Sequence, residues 1–168
     1  MISLRGLAMH AEDQFMYVAD REMGIGVVEM STGRFGKLIT PETLNLGGID
    51  GLYLKENTLV VIQNGIRPQR VIALQLDPDG LKVTQVRPMA VAQPEFDFPS
   101  YGTLKGEDFY YFANSQVPGR VESQEQVTVL RTPLNSAKEL VQPDMQLFLE
   151  KQAQAKKLEQ QKAKEQDQ

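Results

Sequence analysis

A glycine-led segment that recurs three times is the feature that most constrains how this chain folds. The copies begin at Gly6, Gly51 and Gly102, so that successive copies start 45 and 51 residues apart. In each copy a short apolar stretch follows the glycine, then a polar turn, then a more strongly apolar stretch that ends at Asp or Asn. The copies occupy residues 6–20, 51–64 and 102–114. Self-similarity at such a period indicates a repeat architecture in which each repeat is one supersecondary unit.

The strongly apolar stretches predict β-strands. Residues 15–19, 59–62 and 109–113 are nearly continuous apolar runs, which indicates burial on both faces. The runs are short, rich in β-branched and aromatic residues and bounded by turns, which favours strands over a buried helix. Third strands are predicted at residues 24–30, 70–76 and 126–131, and fourth strands at 37–40 and 82–86. The Asp-Pro-Asp-Gly sequence at 77–80 is a strong turn signal between the predicted strands at 70–76 and 82–86.

Four strands per period of about 40–50 residues are typical of a β-propeller blade. We therefore predict an all-β chain, a partial β-propeller of about three blades within residues 1–142. The predicted blades span about 5–45, 49–94 and 99–134, and the third has no convincing fourth strand after residue 133. An open set of blades leaves apolar faces and unpaired strand edges. Either missing upstream blades or a second copy of the chain is expected to close the ring.

The last segment, residues 143–168, differs in composition from the rest. It is rich in Gln, Lys, Glu and Ala and contains no glycine. Pro143 suits the first turn of a helix, but Met145, Phe148 and Leu149 form only a thin apolar stripe. The segment is predicted to be a helical or disordered tail, with a docked helix or weak coiled coil as the alternative.

Composition excludes several classes of function. The chain has no cysteine, so disulfides, thiol catalysis and cysteine-based zinc sites are excluded. A net charge of −4 gives no basic surface for nucleic acid. No apolar run is long enough to span a membrane, and the N-terminal residues do not read as a secretory signal. The compartment stays open, since the sequence is compatible with a periplasmic or secreted protein if an upstream signal is missing.

Two parts of the sequence resemble the regucalcin/gluconolactonase family of six-bladed β-propellers, which includes the luciferin-regenerating-enzyme-like proteins. They are residues 48–53, with 61–65 and 70–71 downstream, and residues 110–116. The resemblance covers roughly residues 6–134, and other six-bladed propellers share much of the pattern. It implies that the chain is the C-terminal half of such a ring.

The resemblance also implies a candidate metal site. Enzymes of the family are lactonases that hold a divalent cation, here calcium or zinc, in the central channel. Asp50-Gly51 matches the family's Asp-Gly position, so Asp50 would be both metal ligand and general base. Arg5 stands where the family has an asparagine, and arginine has no lone pair to offer a metal. The family's glutamate ligand has no counterpart here, and Asp50 is alternatively a partner of Arg5 or a cap for backbone amides.

Four further residues are weighed as site candidates. Asn64 and Asn114 end equivalent strands, as Asp20 does in the first copy, and we interpret them as turn-forming residues with ligand contact as the alternative. Tyr101 occupies the position equivalent to Arg5 and Asp50, where it would line the channel or pack between blades. His10, the only histidine, has no partner to orient it and is interpreted as structural.

Two functions remain open at this stage. The first is a non-catalytic propeller that serves as a ligand-binding or protein-interaction scaffold, with a small molecule as one expected ligand. The second is a divalent-metal-dependent lactonase or ester hydrolase that uses Asp50. Propellers host many functions, so the fold cannot choose between them. We favour the scaffold for this chain, because Arg5 replaces the asparagine of the family's metal site and the glutamate ligand of that site has no counterpart here.

Overall fold

The computed structural model describes residues 3–10, 12–115 and 126–135, and these residues form three antiparallel sheets. The described residues contain no helix, and hence none that could cross a membrane. The strands are β1 (Leu4–Met9), β2 (Phe15–Asp20), β3 (Gly24–Glu29), β4 (Phe35–Lys37), β5 (Ile49–Lys55), β6 (Thr58–Gln63), β7 (Arg70–Leu76), β8 (Val83–Val91), β9 (Ser100–Lys105), β10 (Asp108–Phe112) and β11 (Val129–Pro133).

Each sheet is one repeat of the sequence, which confirms the predicted all-β repeat architecture. Blade 1 has the order β1-β2-β3-β4 and blade 2 the order β5-β6-β7-β8. Blade 3 has β9, β10 and β11 among the described residues, with β10 in the centre. The predicted tail at residues 143–168 lies outside the part of the chain that the structure describes.

Blade 2 supplies apolar side chains to two separate cores because its central strands are buried on both faces. Leu59 and Val61 of β6 lie in the core shared with blade 1. Val60 and Ile62 alternate with them and lie in the core shared with blade 3. The continuous apolar run that predicted this strand therefore reflects two packing partners rather than one.

The first strands of the three blades lie side by side. β1 lies next to β5, and β5 lies next to β9. The approach of β1 to β5 is close: a Cβ atom on Gly6 would lie 3.1 Å from the backbone nitrogen of Leu52. A larger side chain at Gly6 would push against blade 2, whereas a Cβ on Gly51 or Gly102 would meet atoms of its own blade, at Tyr53 or at Phe109.

The three leading glycines are not all equivalent. All three follow a register shift, but only for Gly6 and Gly51 do the cross-strand partners, Ala19 and Ile62, face the next blade along the chain. Gly102 instead lies one position farther along its strand, on the side of blade 3 that packs against blade 2. Counted from the two-residue turns that join the strands, Gly102 corresponds to Leu52. The prediction of one shared glycine position is therefore wrong by one residue for blade 3.

Candidate functional site

Every first strand is interrupted at one residue, and these three residues are Arg5, Asp50 and Tyr101. In β1 the pairing shifts between Leu4 and Gly6, and in β5 between Ile49 and Gly51. In β9 the shift falls between Ser100 and Gly102. Each skipped residue is a β-bulge, which frees a side chain from the regular alternation of the sheet and re-aims it. The bulges thus gather three unlike side chains at the same end of neighbouring strands.

Asp50 is the centre of a polar cluster formed with Arg5, Arg21 and Asn64, which we call the arginine–aspartate cluster. The Arg21 guanidinium donates to Asp50 Oδ1 at 3.1 Å, and the Asn64 amide donates to Asp50 Oδ2 at 2.9 Å. Arg5 Nε lies 3.9 Å from Oδ1, which is an ion pair but too long for a hydrogen bond. Both carboxylate oxygens therefore already have donors.

Arg21 is the member of the cluster that the sequence did not reveal. It follows β2, and its guanidinium also donates to Asn64 Oδ1 at 3.0 Å. The ring of Phe98 lies 5.7 Å from the guanidinium carbon, within cation–π range. The available signal was its position in the repeat. Gly6 pairs with Ala19, and Arg21 follows two residues later. Gly51 pairs with Ile62, and Asn64 follows two residues later. Arg21, not Asp20, is therefore the counterpart of Asn64.

Asn64 joins three segments. Its amide nitrogen donates to Asp50 and also to the Pro99 carbonyl at 2.9 Å, just before β9. Its own carbonyl accepts from Gln69 at 3.4 Å. The residue is buried, so these bonds satisfy groups that water does not reach. The geometry agrees with a structural role at the junction of blades 2 and 3.

Asn114 and Asp20 bond backbone groups through their side chains. The Asn114 side chain accepts from the Thr128 amide at 2.7 Å and donates to the Gln126 carbonyl at 2.9 Å, which anchors the approach to β11. Asp20 accepts from the amides of Ser3, Glu22 and Met23. The bonds of Asp20 to Glu22 and Met23 are the turn-forming contacts that short polar side chains typically make, whereas the bonds of Asn114 join it to a segment 12 to 14 residues away.

Tyr101 is the most exposed of the bulge residues, with 66% of its surface accessible. Its backbone has φ of +25°, a region that residues with side chains seldom adopt. It lines a shallow apolar pocket of about 210 Å³ together with Thr103, Tyr110, Phe112 and Val129. The side chain is thus presented on the outer face of blade 3.

His10 is a buried packing residue. Its ring lies against Phe15 and Tyr17, with ring centroids 6.0 and 6.5 Å apart. Its backbone accepts from the Asp13 amide and donates to the Phe15 carbonyl, which closes the β1–β2 connection. These contacts agree with the structural interpretation.

Burial changes the acidity of a tyrosine beside the cluster. The Tyr53 hydroxyl accepts a hydrogen bond of 2.6 Å from the Gly102 amide and so connects blade 2 to blade 3. Burial raises the pKa of Tyr53, an effect that this bond partly offsets and that the charge of Asp50 reinforces. Tyr53 therefore stays a neutral hydroxyl at physiological pH and serves as a connector.

The cluster has more positive than negative charge. Arg5 and Arg21 bring two fixed positive charges to one carboxylate, and arginine remains protonated throughout the pH range of interest. Within the described ranges, no group of three His, Asp or Glu side chains has the spacing of a metal site. The side chain of Asp50 is 14% exposed, and that of Arg5 is 47% exposed. The open side of the cluster is therefore guanidinium rather than carboxylate.

Comparison with known proteins gives likenesses of fold. No family model and no curated protein matches the sequence. Among solved structures, a luciferin-regenerating enzyme is similar with a TM-score of 0.52 and 18% identity, over 78% of this chain and 45% of that one. A chain of a nidogen/laminin complex has a TM-score of 0.48 and 21% identity, over 65% of this chain and 39% of that one.

A third similar structure is the PQQ-bound aldose sugar dehydrogenase of Streptomyces coelicolor. Its TM-score is 0.49 at 11% identity, over 77% of this chain and 42% of that one. The chain thus spans less than half the length of each of these structures. Together with the three antiparallel sheets, the likeness to the luciferin-regenerating enzyme identifies the fold as that of consecutive β-propeller blades.

Proposed function

We propose that this chain is a ligand-binding part of a six-bladed propeller related to the regucalcin/gluconolactonase family, and that it binds a small oxyanion-bearing molecule beside Arg5. The observation that carries the proposal is the pairing of two arginines with the single carboxylate of Asp50. Arg21 is held by Asp50 and Asn64, which leaves the more exposed Arg5 as the group that meets a ligand. Guanidinium groups match the geometry of carboxylate and phosphate oxygens.

The bulges support this proposal. Arg5 lies outside the regular pairing of β1, so its side chain can turn toward a ligand without disturbing the sheet. Tyr101, exposed at the corresponding bulge of β9, would supply an apolar wall and one hydroxyl. Asn114, which bonds to the approach of β11, is the remaining channel-lining candidate.

The second candidate is a divalent-metal-dependent lactonase or ester hydrolase that uses Asp50 as ligand and general base. The observation that favours it is the location of Asp50 in a bulge immediately before Gly51. This bulge is in β5, the first strand of blade 2, which lies between β1 and β9. Calcium or zinc would have to displace the donors that Arg21 and Asn64 now supply, and it would meet two positive charges. Calcium also needs about six to eight oxygen ligands.

Thermal unfolding of the full chain with added probes distinguishes the two candidates. Phosphate and gluconate are the anionic probes, and calcium and zinc are the cationic ones. An anion that binds the native state raises the melting temperature, by mass action, and Arg5→Gln should abolish the rise. Arg34→Gln, which alters an exposed arginine paired with Glu29 in blade 1, is the matched control and should keep it.

The opposite pattern supports the hydrolase. If calcium or zinc raises the melting temperature, Asp50→Ala abolishes that rise and the chain hydrolyses gluconolactone, the anion proposal is overturned in favour of the second candidate. If no probe shifts the transition of the wild-type chain, both proposals of binding at the cluster fail for this chain.

A further inference from the structure

Blade 1 has an apolar face that points away from blade 2, which we call the preceding face. Its side chains form a row across the four strands, in which each residue pairs with the next: Met9, Met16, Val28 and Phe35. A second row begins at Leu7 and continues through Val18, which is buried. Leu7 is 62% exposed, Met9 is 44% exposed and Phe35 is 50% exposed, so several large apolar side chains of one sheet face are open to solvent.

Blade 3 has an open face on its far side, which we call the following face. Phe112 pairs with Val129, and Tyr110 pairs with Arg131, so these four side chains share one side of the sheet. Tyr101 borders them in the pocket described above. Val129 is 55% exposed, and Arg131 forms an ion pair of 2.9 Å with Asp108 of the same sheet.

The two internal junctions show which blade faces fit each other. Blade 2 packs against blade 1 through the row Leu54, Leu59, Leu74 and Val86. By register this row is the counterpart of Met9, Met16, Val28 and Phe35 in blade 1. The preceding face of blade 1 therefore has the same construction as a face that packs against a blade before it.

The following face has the complementary construction. Blade 2 packs against blade 3 through Ile62, which pairs with Val71, and Val60, which pairs with Ala73. Counted from the turns, the counterparts in blade 3 are the pair Phe112–Val129 and the pair Tyr110–Arg131. The chain thus carries both halves of a blade–blade junction, one at each end of its row of blades.

We infer that a second copy of this chain closes the ring, with the preceding face of each copy packed on the following face of the other. Two copies supply six blades, and a twofold axis makes the two junctions identical. The length agrees, because one chain covers 45% of the luciferin-regenerating enzyme that it resembles in fold. The inference rests on the six-bladed ring of the proposed function, but its test is separate from the proposed ligand, since it uses neither Arg5 nor Asp50.

Sedimentation of the full chain at micromolar concentration tests the inference. We expect a particle of twice the mass of one chain. Leu7→Lys, on the preceding face, and Val129→Glu, on the following face, should each give monomers because every copy contributes both faces to the ring. Glu42→Lys, an exposed charge change between β4 and β5, is the control and should remain a dimer.

Mixing the two monomeric variants distinguishes this junction from other dimers. A mixture of Leu7→Lys and Val129→Glu chains should restore a mixed dimer, because one junction is then wild type and the other pairs lysine with glutamate. Circular dichroism of each variant alone verifies that it is folded. A monomeric wild-type chain overturns the inference and leaves the two faces to blades of other sequence. A dimer that persists in either variant alone also overturns it, because the contact would then join like faces.

Discussion

The hydroxyl of Tyr17 donates a hydrogen bond of 2.9 Å to the backbone carbonyl of Gly80, and both groups are buried. Tyr17 is in the second strand of blade 1, and Gly80 is in the turn between β7 and β8 of blade 2. The bond therefore joins two blades through residues that are 63 positions apart in sequence, and it lies beside His10, whose ring packs against Tyr17. The effect of a side chain at position 80 on stability and the loss of stability at high pH both depend on this contact.

Replacing Gly80 by alanine should destabilise the protein by about 2–4 kcal/mol, because strain and a clash add together. Gly80 has φ of +72°, and a Cβ there would lie 2.6 Å from the Tyr17 hydroxyl oxygen. Gly33→Ala is the matched control, since Gly33 has φ of +70° and no atom within 4 Å of such a Cβ. Urea unfolding should assign only about 1 kcal/mol to the control. Equal losses in the two variants would contradict the clash.

Stability should fall between about pH 10 and pH 12 as a consequence of the buried Tyr17. Burial, aided by the charge of Asp77, raises the pKa of Tyr17 to about 12 from its ordinary value of 10.0. The unfolded chain loses this proton first, so the stabilisation is complete below pH 10 and is lost as pH rises through the folded pKa. A shift of about two units corresponds to about 2–3 kcal/mol.

Urea unfolding at pH 8 and at pH 11.5 checks this dependence. Tyr17→Phe should be less stable at pH 8 by about 1 kcal/mol, since the Gly80 carbonyl loses its donor. It should lose less stability than the wild type between the two pH values. Burial also raises the pKa values of Tyr53 and Tyr111, so a residual decline is expected in the variant. If the variant and the wild type lose the same stability between pH 8 and pH 11.5, the pKa of Tyr17 is not raised by folding.

Tyr53→Phe should weaken the junction of blades 2 and 3 by about 1–2 kcal/mol, because the half-buried Gly102 amide loses the hydroxyl that accepts its hydrogen bond. The ring itself stays in contact with Phe109, 4.9 Å between centroids, so packing is conserved. Tyr110→Phe, on the following face, is the control and should change stability less. Hydrogen exchange at Gly102 should accelerate in Tyr53→Phe and not in the control.

Arg21 and Arg5 should differ in their contribution to stability although both contact Asp50. Arg21→Ala removes bonds to Asp50 and Asn64 and leaves a mostly buried carboxylate less well paired, so a loss of about 1–3 kcal/mol is expected. Arg5 is half-exposed and 3.9 Å from the carboxylate, so Arg5→Ala should cost less than about 1 kcal/mol. Similar losses for the two variants would contradict the assignment of Arg21 as the structural partner.

The apolar pattern predicted the strands because alternation and continuous burial are visible in sequence. The runs at residues 59–62 and 109–113 became β6 and β10, each in the centre of its sheet. The position of Gly102 was not predictable, because a bulge moves the pairing by one residue without changing which residues are apolar.

The site was predictable where a residue adjoins a leading glycine or ends a strand of the repeat, as Asn64 does. Arg5 and Asp50 were found in this way, and their ion pair is the alternative considered for Asp50 from the sequence. Arg21 follows a strand in a stretch with no motif, and its partners are 29 and 43 residues away. Such a contact depends on how blades 1 and 2 are juxtaposed, which no local pattern encodes.

The bulges of β1, β5 and β9 have a consequence for how such a protein can change over generations. Arginine, aspartate and tyrosine occupy the three interruptions while the ladders on either side continue. A mutation at one of these positions alters charge or shape at a residue that lies outside the regular pairing, while the neighbouring residues keep their cross-strand partners. New binding preferences are thus accessible through single replacements at the exposed residues Arg5 and Tyr101, whereas Asp50 is tied to Arg21 and Asn64.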